Sequence, residues 1–239
     1  MHKFPDFLQR IIDYLFPPLC IVCDKPRPWG EKWLCSGCEA ALIENNRYRD
    51  PCPRCAANKA LGPCECRPGI DFPFDRAYSL FDFEDPVRSV LHHVKYAGKK
   101  HLAFDLALRF APLAQQEFFE GIDGVVAVPL HVSRRRKRGY NQADYLARGL
   151  AEERRLPLFE GVLTRVRKTA TQTTLNRPAR RKNMKGAFAV PSGASERIRG
   201  ASLLLIDDVM TTGSTTGEAA KALLHAGAAS VRVLSFARD

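Results

Sequence analysis

The stretch that most constrains the fold is Leu203-Leu204-Leu205-Ile206-Asp207-Asp208-Val209-Met210-Thr211-Thr212-Gly213-Ser214-Thr215. Four consecutive apolar residues without alternation suit a strand covered on both faces, as in a parallel sheet. Two adjacent acids stop the run, a hydroxyl-rich turn follows, and a helix is predicted from about Thr216 to Ala226. Residues just outside the carboxyl end of such a strand form the ligand crevice of an open α/β sheet. Thr211, Thr212, Gly213, Ser214 and Thr215 can wrap a phosphate with backbone N–H groups and hydroxyls, and the positive end of the next helix favours an anion. Two acids in front of such a cradle make sense when the phosphate sits on a sugar. The carboxylates then accept hydrogen bonds from vicinal ribose hydroxyls while the turn holds the 5′-phosphate. The chain has neither a glycine–lysine phosphate loop nor a glycine-rich dinucleotide fingerprint after a strand. A buried strand with a polar exit turn would explain the apolar run, but not the order of acids, threonines, glycine and serine.

A second constraint lies at the other end. All eight cysteines precede residue 67, as Cys20 and Cys23, Cys35 and Cys38, Cys52 and Cys55, then Cys64 and Cys66. Close pairs are the spacing of thiolate zinc ligands, because each knuckle places two sulfurs on one side of a tetrahedron. A secreted disulfide framework would call for a signal peptide and a small isolated domain. The N-terminus instead carries Asp6 and Asp13 within an amphipathic pattern (Phe4, Phe7, Leu8, Ile11, Ile12, Leu15), read as a short helix packed on the body. Sequential knuckles give one site from Cys20, Cys23, Cys35 and Cys38 and another from Cys52, Cys55, Cys64 and Cys66. Crossed pairing, or a single filled site, stays open. With every ligand a thiolate, the role of one or two Zn²⁺ ions is structural. Few large aliphatics in this region make such a staple necessary.

Charge gives the third constraint. The chain carries a formal +11, and the segment from His131 to Lys185 holds 16 Lys and Arg against 4 Asp and Glu, leaving the rest near −1. A concentrated excess points to a polyanionic partner or substrate. Its densest part, Arg134-Arg135-Arg136-Lys137-Arg138, is read as a loop leaving the strand Val125 to Val128 and joining the crevice rim, with a helix starting near Asn141. Arginine forks there suit pyrophosphate oxygens. The excess exceeds what one phosphorylated sugar needs, so Arg134, Arg135, Arg136, Lys137, Arg180 and Arg181 are assigned to a single-stranded DNA track, with Tyr140 as a stacking face unless it simply packs. A solvated charge run is the plain alternative.

The remaining chain reads as strand and helix in alternation. Ala77 to Phe83 is a strand, and Asp85-Pro86 opens a helix with Val87, Val90, Leu91 and Val94 as its apolar face. Lys95 near its end is open between a solvated terminus and a site role. His92 and His93 are read as surface residues. A helix is expected from about His101 to Phe119, a strand from Val231 to Phe236, and a linker from Pro68 to Pro73. Lys168 to Gly186 reads as a long polar loop, a lid by position, returning as a strand from Ala187 to Val190. No run of eighteen apolar residues occurs, so no membrane span is expected.

The Asp207-Asp208 stretch closely resembles the phosphoribosyl pyrophosphate (PRPP) motif of type I phosphoribosyltransferases. The wider pattern resembles the ComF family of competence proteins. The matching parts are the paired cysteines, Val128-Pro129-Leu130 followed by basic residues, Arg138-Gly139-Tyr140-Asn141-Gln142, Gln172 with Leu175, Arg181, Asn183, Gly186-Ala187-Phe188, and Asp207-Asp208. The resemblance covers nearly the whole chain. It implies an α/β fold of the type I phosphoribosyltransferase kind, a parallel sheet flanked by helices, over residues 74–239. It also implies a cysteine-rich zinc-ribbon module over residues 1–68. Asp207 and Asp208 would fix the ribose as catalytic residues, Thr211 to Thr215 the 5′-phosphate, and Arg138 with its neighbours the pyrophosphate, which brings Mg²⁺. Such proteins are expected in the cytoplasm, handling DNA taken up in natural transformation through PRPP, single-stranded DNA and a DNA-processing protein partner. A salvage phosphoribosyltransferase acting on a free base, or a non-catalytic adaptor, fits the same fold, since fold does not fix activity.

Overall fold

The computed structural model describes residues 14, 16–27, 31–47, 49–62, 64, 66, 72–96, 98–169 and 182–239. The expected N-terminal helix lies almost entirely outside them, as do most of the linker and the centre of the basic loop with Arg180 and Arg181.

Strands β1 (Arg76–Asp82), β2 (Gly124–Ala127), β5 (Ser202–Met210) and β6 (Ser230–Arg238) form one parallel sheet in the order β1-β6-β5-β2. A two-residue antiparallel ribbon joins β3 (Thr164–Arg165) to β4 (Phe188–Ala189). The helices are α1 (Ser36–Arg47), α2 (Val87–Tyr96), α3 (Lys100–Phe110), α4 (Val132–Arg138), α5 (Gln142–Arg154), α6 (Ser195–Ile198) and α7 (Ser214–His225). The helix expected over 101–119 ends at Phe110, beyond which Ala111–Leu113 and Gln116–Phe118 form two single 3₁₀ turns. Pro112 explains the break, because its ring removes a donor that a continuing α-helix needs.

The unbroken apolar run of β5 is explained by two cores, one on each face. Leu204 and Ile206 pack with Leu234, Phe236 and the inner faces of α2, α3 and α5. Leu203 and Leu205 pack with Val231 and Val233 under Ala219, Ala220 and Leu223 of α7. Each such leucine contributes about 1.5–3 kcal/mol by leaving water. α5 crosses α3 at Gly149, where a Cβ would fall 2.3 Å from the Phe104 carbonyl oxygen, so only glycine allows this closeness.

Both sheet edges are covered. Along β1, Ala77 N donates to Pro53 O at 2.8 Å, Asp82 N to Asn45 Oδ1 at 2.9 Å, and Asn46 Nδ2 to Leu80 O at 2.7 Å. The cysteine region thus satisfies backbone groups that an open edge would offer to another chain. Its Cys20, Ile21, Leu34 and Leu42 belong to the same buried cluster as α2, α3 and α5. On the far edge, β2 pairs with the extended segment at Leu158.

Candidate functional site

β5 does not stop at the acids as the sequence suggested; it runs through them to Met210, held by β6 through Asp207↔Ser235 and Val209↔Ala237. β2 ends opposite Ile206, with only Val128 N reaching back to Ile206 O at 2.9 Å. Asp207 and Asp208 therefore stand past the end of the neighbouring strand, in the crevice that an open sheet leaves there. A cavity of about 620 Å³ occupies it, bounded by Asp207, Asp208, Thr215, Arg134, Arg138 and Lys95 among others.

The carboxylates are 8% and 7% exposed, and burial sets them apart from ordinary acids. Desolvation, added to the charge of Asp208, pushes the Asp207 carboxyl well above the usual range. Burial acts the same way on Asp208, but Lys95 outweighs it: Lys95 Nζ lies 2.9 Å from Asp208 Oδ2, and Asp208 titrates below its usual value. Gln142 Nε2 donates to the same oxygen at 3.1 Å. The pair is thus split into one anchored anion and one acid that resists ionisation.

The turn after β5 is built by Gly213, whose φ of +71° lies in the left-handed region. A Cβ there would also sit 2.7 Å from the Phe72 ring, so glycine is required twice over. Ser214 then opens the 12-residue α7, and Thr212 Oγ1 and Ser214 Oγ share a hydrogen bond of 2.7 Å. Thr215 faces the main crevice, whereas Thr212, Gly213 and Ser214 border a neighbouring cavity of about 130 Å³ with Glu218 and Lys221. Thr211 is half-buried at the start of the turn.

Two expectations for the basic stretch need correction. Arg134 to Arg138 is not a loop but the helix α4, opened by His131, which accepts from Ser133 N, and closed by Gly139 at φ +85°. Helical geometry sorts its cations: Arg134, Lys137 and Arg138 face the crevice, Arg135 turns to a second groove, and Arg136 is exposed. Tyr140 is no stacking face for a base. It is 7% exposed, its hydroxyl donates to Val94 O, and its ring meets Tyr145 edge-on. The aromatic ring at the rim is Tyr96, 67% exposed, with the Arg138 guanidinium 5.5 Å from its centroid and His92 at 4.9 Å.

Lys95, which the sequence left open between a solvated terminus and a site role, lines the crevice, and so do Gln142, Tyr96 and Arg165, to which sequence reasoning gave no role. Lys95 and Tyr96 end α2, a helix whose apolar face and whose end near Lys95 to Gly98 were both readable, but not what its last turn meets. Gln142 lies within a quoted motif, and only its 66-residue leap to Asp208 reveals its use.

In the cysteine region, Cys20, Cys23, Cys35 and Cys38 form one group and Cys52, Cys55, Cys64 and Cys66 another, with the sulfurs of each within 4.8 Å of one another. Two edges, Cys23–Cys35 and Cys52–Cys66, measure 3.7 and 3.8 Å. A tetrahedron of sulfurs about 2.3 Å from a zinc ion has edges of about 3.8 Å. Against the opposing effect of burial, backbone N–H groups of Cys35, Val22 and Cys23 bring the Cys20 thiol down to about 6, and those of Cys55 and Arg54 bring Cys52 to about 7. Both groups can hold a metal ion, and the donor chemistry fits zinc.

Comparison with known proteins agrees with this geometry. Residues 113–239 match the family described as phosphoribosyl transferase domain. Over 231 residues the chain is 33% identical to the DNA utilization protein YhgH of Salmonella typhimurium, covering 93% of this chain and 97% of that protein. It is 28% identical to competence protein F of Haemophilus influenzae, over 92% of this chain and 96% of that one. Competence protein ComFC of Streptococcus pneumoniae shares 26% identity over 86% and 87%.

Proposed function

The chain belongs to the ComF family, with a type I phosphoribosyltransferase domain, and on that footing we propose that it binds PRPP and single-stranded DNA in the cytoplasm, serving the use of DNA taken up from outside. One observation carries the PRPP half: a buried acid pair on β5, past the end of neighbouring β2, faces the cationic side of α4 across one crevice.

In this reading Asp207 and Asp208 accept hydrogen bonds from the ribose hydroxyls. Lys95 and Gln142 hold Asp208 ionised and oriented for that task. The turn Thr211 to Thr215 and the first N–H groups of α7 take the 5′-phosphate. Arg134, Lys137 and Arg138 receive the pyrophosphate. Mg²⁺, bound mainly by substrate oxygens and water, supplies charge neutralisation at the pyrophosphate. Positioned this way, C1′ can develop oxocarbenium character once an acceptor is present.

The DNA half rests on the surplus of cations, on exposed Arg136, and on Tyr96 as a ring flanked by charge at the crevice mouth. The relatives' names, DNA utilization protein and competence protein, support the same reading. Zinc in the cysteine groups serves to build the module that covers β1. Eight thiols used this way belong in a reducing compartment.

A thermal-shift comparison tests the proposal. PRPP with Mg²⁺ is expected to raise the melting temperature more than ribose 5-phosphate or pyrophosphate alone, because only PRPP spans both ends of the crevice. Equal shifts for PRPP and pyrophosphate would reduce the site to a general anion patch. Turnover with a free base and no affinity for single strands would favour a salvage enzyme instead.

A further inference from the structure

The two cysteine groups stand differently towards the crevice. The first, Cys20, Cys23, Cys35 and Cys38, packs into the cluster formed with α2, α3 and α5 on one face of the sheet. The second, Cys52, Cys55, Cys64 and Cys66, reaches the end of β6. There Arg238 Nε donates to Cys55 O at 2.9 Å, and Nη1 of the same guanidinium donates to Met210 O at 3.2 Å. Met210 is the last residue of β5, and Thr211 opens the turn that follows. One side chain thus joins a metal knuckle to the first peptide of the turn, and a charged donor makes both bonds strong ones.

Both ends of this bridge are held. At the knuckle, Ala56 N donates to Cys52 O and Cys52 N to Ala57 O, each at 2.8 Å. Ala56 is fully buried at φ +57°, a backbone shape that alanine keeps only where its surroundings impose it. Holding the Cys52 and Cys55 thiolates on one metal ion is such an imposition. Arg49 secures the far side, its Nη2 donating to Ala56 O at 2.8 Å and its Nε to Asp82 Oδ1 at 3.0 Å. At the turn, Met210 O also accepts from Asp239 N at 3.1 Å. The peptide that carries this carbonyl carries the Thr211 N–H, and it is planar, so holding one sets the direction of the other. Packing runs along the same path. Ala56, Phe74 and Met210 share one buried cluster, and a Cβ on Gly213 would meet both the Phe72 ring and Met210 Cε, at 2.7 and 3.1 Å.

We infer that the second cysteine group and the phosphate turn are one coupled unit, with Arg238 as the positioning residue between them. A metal ion on Cys52, Cys55, Cys64 and Cys66 fixes the Cys55 carbonyl, Arg238 passes that constraint to Met210 O, and the turn keeps the shape that takes a sugar 5′-phosphate. The pyrophosphate end, built on α4, lies outside this path. The inference rests on the function proposed above and adds that occupancy of one metal site sets the affinity of one end of the crevice. Coupling is reciprocal, so a phosphate on the turn must strengthen the hold of this group on its metal by the same factor.

The test uses the full-length, zinc-loaded protein. Zinc occupancy is followed at equilibrium against a zinc chelator, with saturating ribose 5-phosphate, with saturating pyrophosphate, and with neither; protein-free blanks correct for zinc held by the ligands. Ribose 5-phosphate is expected to raise the chelator concentration needed to strip one zinc ion by about fivefold or more, the low end of usual coupling between sites. Pyrophosphate is expected to protect neither ion. Arg238→Met, which keeps the stem and loses both hydrogen bonds, should weaken ribose 5-phosphate binding by the same factor, leave pyrophosphate binding unchanged and abolish the protection. If that variant does not fold, the wild-type competition decides the matter alone. Protection of neither ion by ribose 5-phosphate, equal protection by pyrophosphate, or protection that survives in Arg238→Met overturns the inference. Should ribose 5-phosphate fail to bind the wild type at all, the proposed function falls, and the inference with it; binding without protection strikes the inference alone.

Discussion

Replacing Lys95 by Met isolates the electrostatic design of the crevice. The Lys95–Asp208 pair is close, at 2.9 Å, with the two side chains only 22% and 9% exposed. Removing one partner of a buried pair costs about 3–5 kcal/mol, because the other charge stays behind. Gln142 still donates to Asp208, and Lys95 keeps some solvent, so the lower end, about 3 kcal/mol, is expected. At about 2–4 °C per kcal/mol for a chain of this size, the melting temperature should fall by about 6–12 °C near pH 7. The pH dependence distinguishes this from lost packing. In the wild type Asp208 titrates below its unfolded value, so its stabilisation is present above the unfolded pKa and fades as pH falls through the folded one. Without Lys95, the burial of Asp208 is opposed only by hydrogen bonds, those from Gln142 Nε2 and Val209 N among them, and its carboxyl moves up. A raised acid favours the fold below its unfolded pKa, and that advantage is lost as pH rises through the folded one. The gap between variant and wild type should therefore be widest at pH 8 and narrow towards pH 5. Melting curves across that range are the assay. A gap of the same size at every pH, or none, would refute the reasoning.

Further expectations concern neighbouring parts of the molecule. Asp207→Asn should raise the melting temperature at pH 7–8, because it removes the carboxyl that burial and Asp208 make hardest to ionise; the benefit should vanish near pH 3, where both forms are neutral. An unstable Asp207→Asn at pH 8 would argue against that burial. Metal analysis of the purified protein should give about two zinc ions per chain, four thiolates to each, and Cys38→Ser should bring this to about one; no zinc, or quantitative disulfides, would remove the proposed ribbon. Single-stranded DNA binding should weaken with salt at a log–log slope of about −0.7 per phosphate neutralised, and Arg136→Ala with Lys137→Ala should reduce that slope by about 1.4. A slope unchanged by both substitutions would place the track elsewhere.

What the sequence disclosed depended on how local the signal was. Leu203 to Ile206 announced a doubly covered strand because four apolar residues in a row leave no face for water. The cysteine pairs announced metal knuckles, since each spans only three or four residues, but which knuckles share a site stayed open until the structure grouped them in two fours. The path of Arg134 to Arg138 was misread because five cations suggest solvent, yet His131 and Gly139 supply the ends of a helix around them. Tyr140 was misjudged for the opposite reason. A run of five cations ends two residues before it, but its hydroxyl reaches Val94, 46 residues away. Lys95 and Gln142 meet Asp208 only because α2 and α5 pack on the same sheet face, and nothing within either helix signals that meeting.

The most direct test of the central claim is a calorimetric titration of PRPP with Mg²⁺ into the wild type and into the double variant Asp207→Asn, Asp208→Asn. Hydrogen bonds to charged groups contribute about 1.5–3 kcal/mol each, so the variant should bind at least about tenfold more weakly while keeping its cooperative melt. Equal affinity in the two proteins, or no saturable heat in the wild type, would contradict the assignment of the acid pair to the ribose.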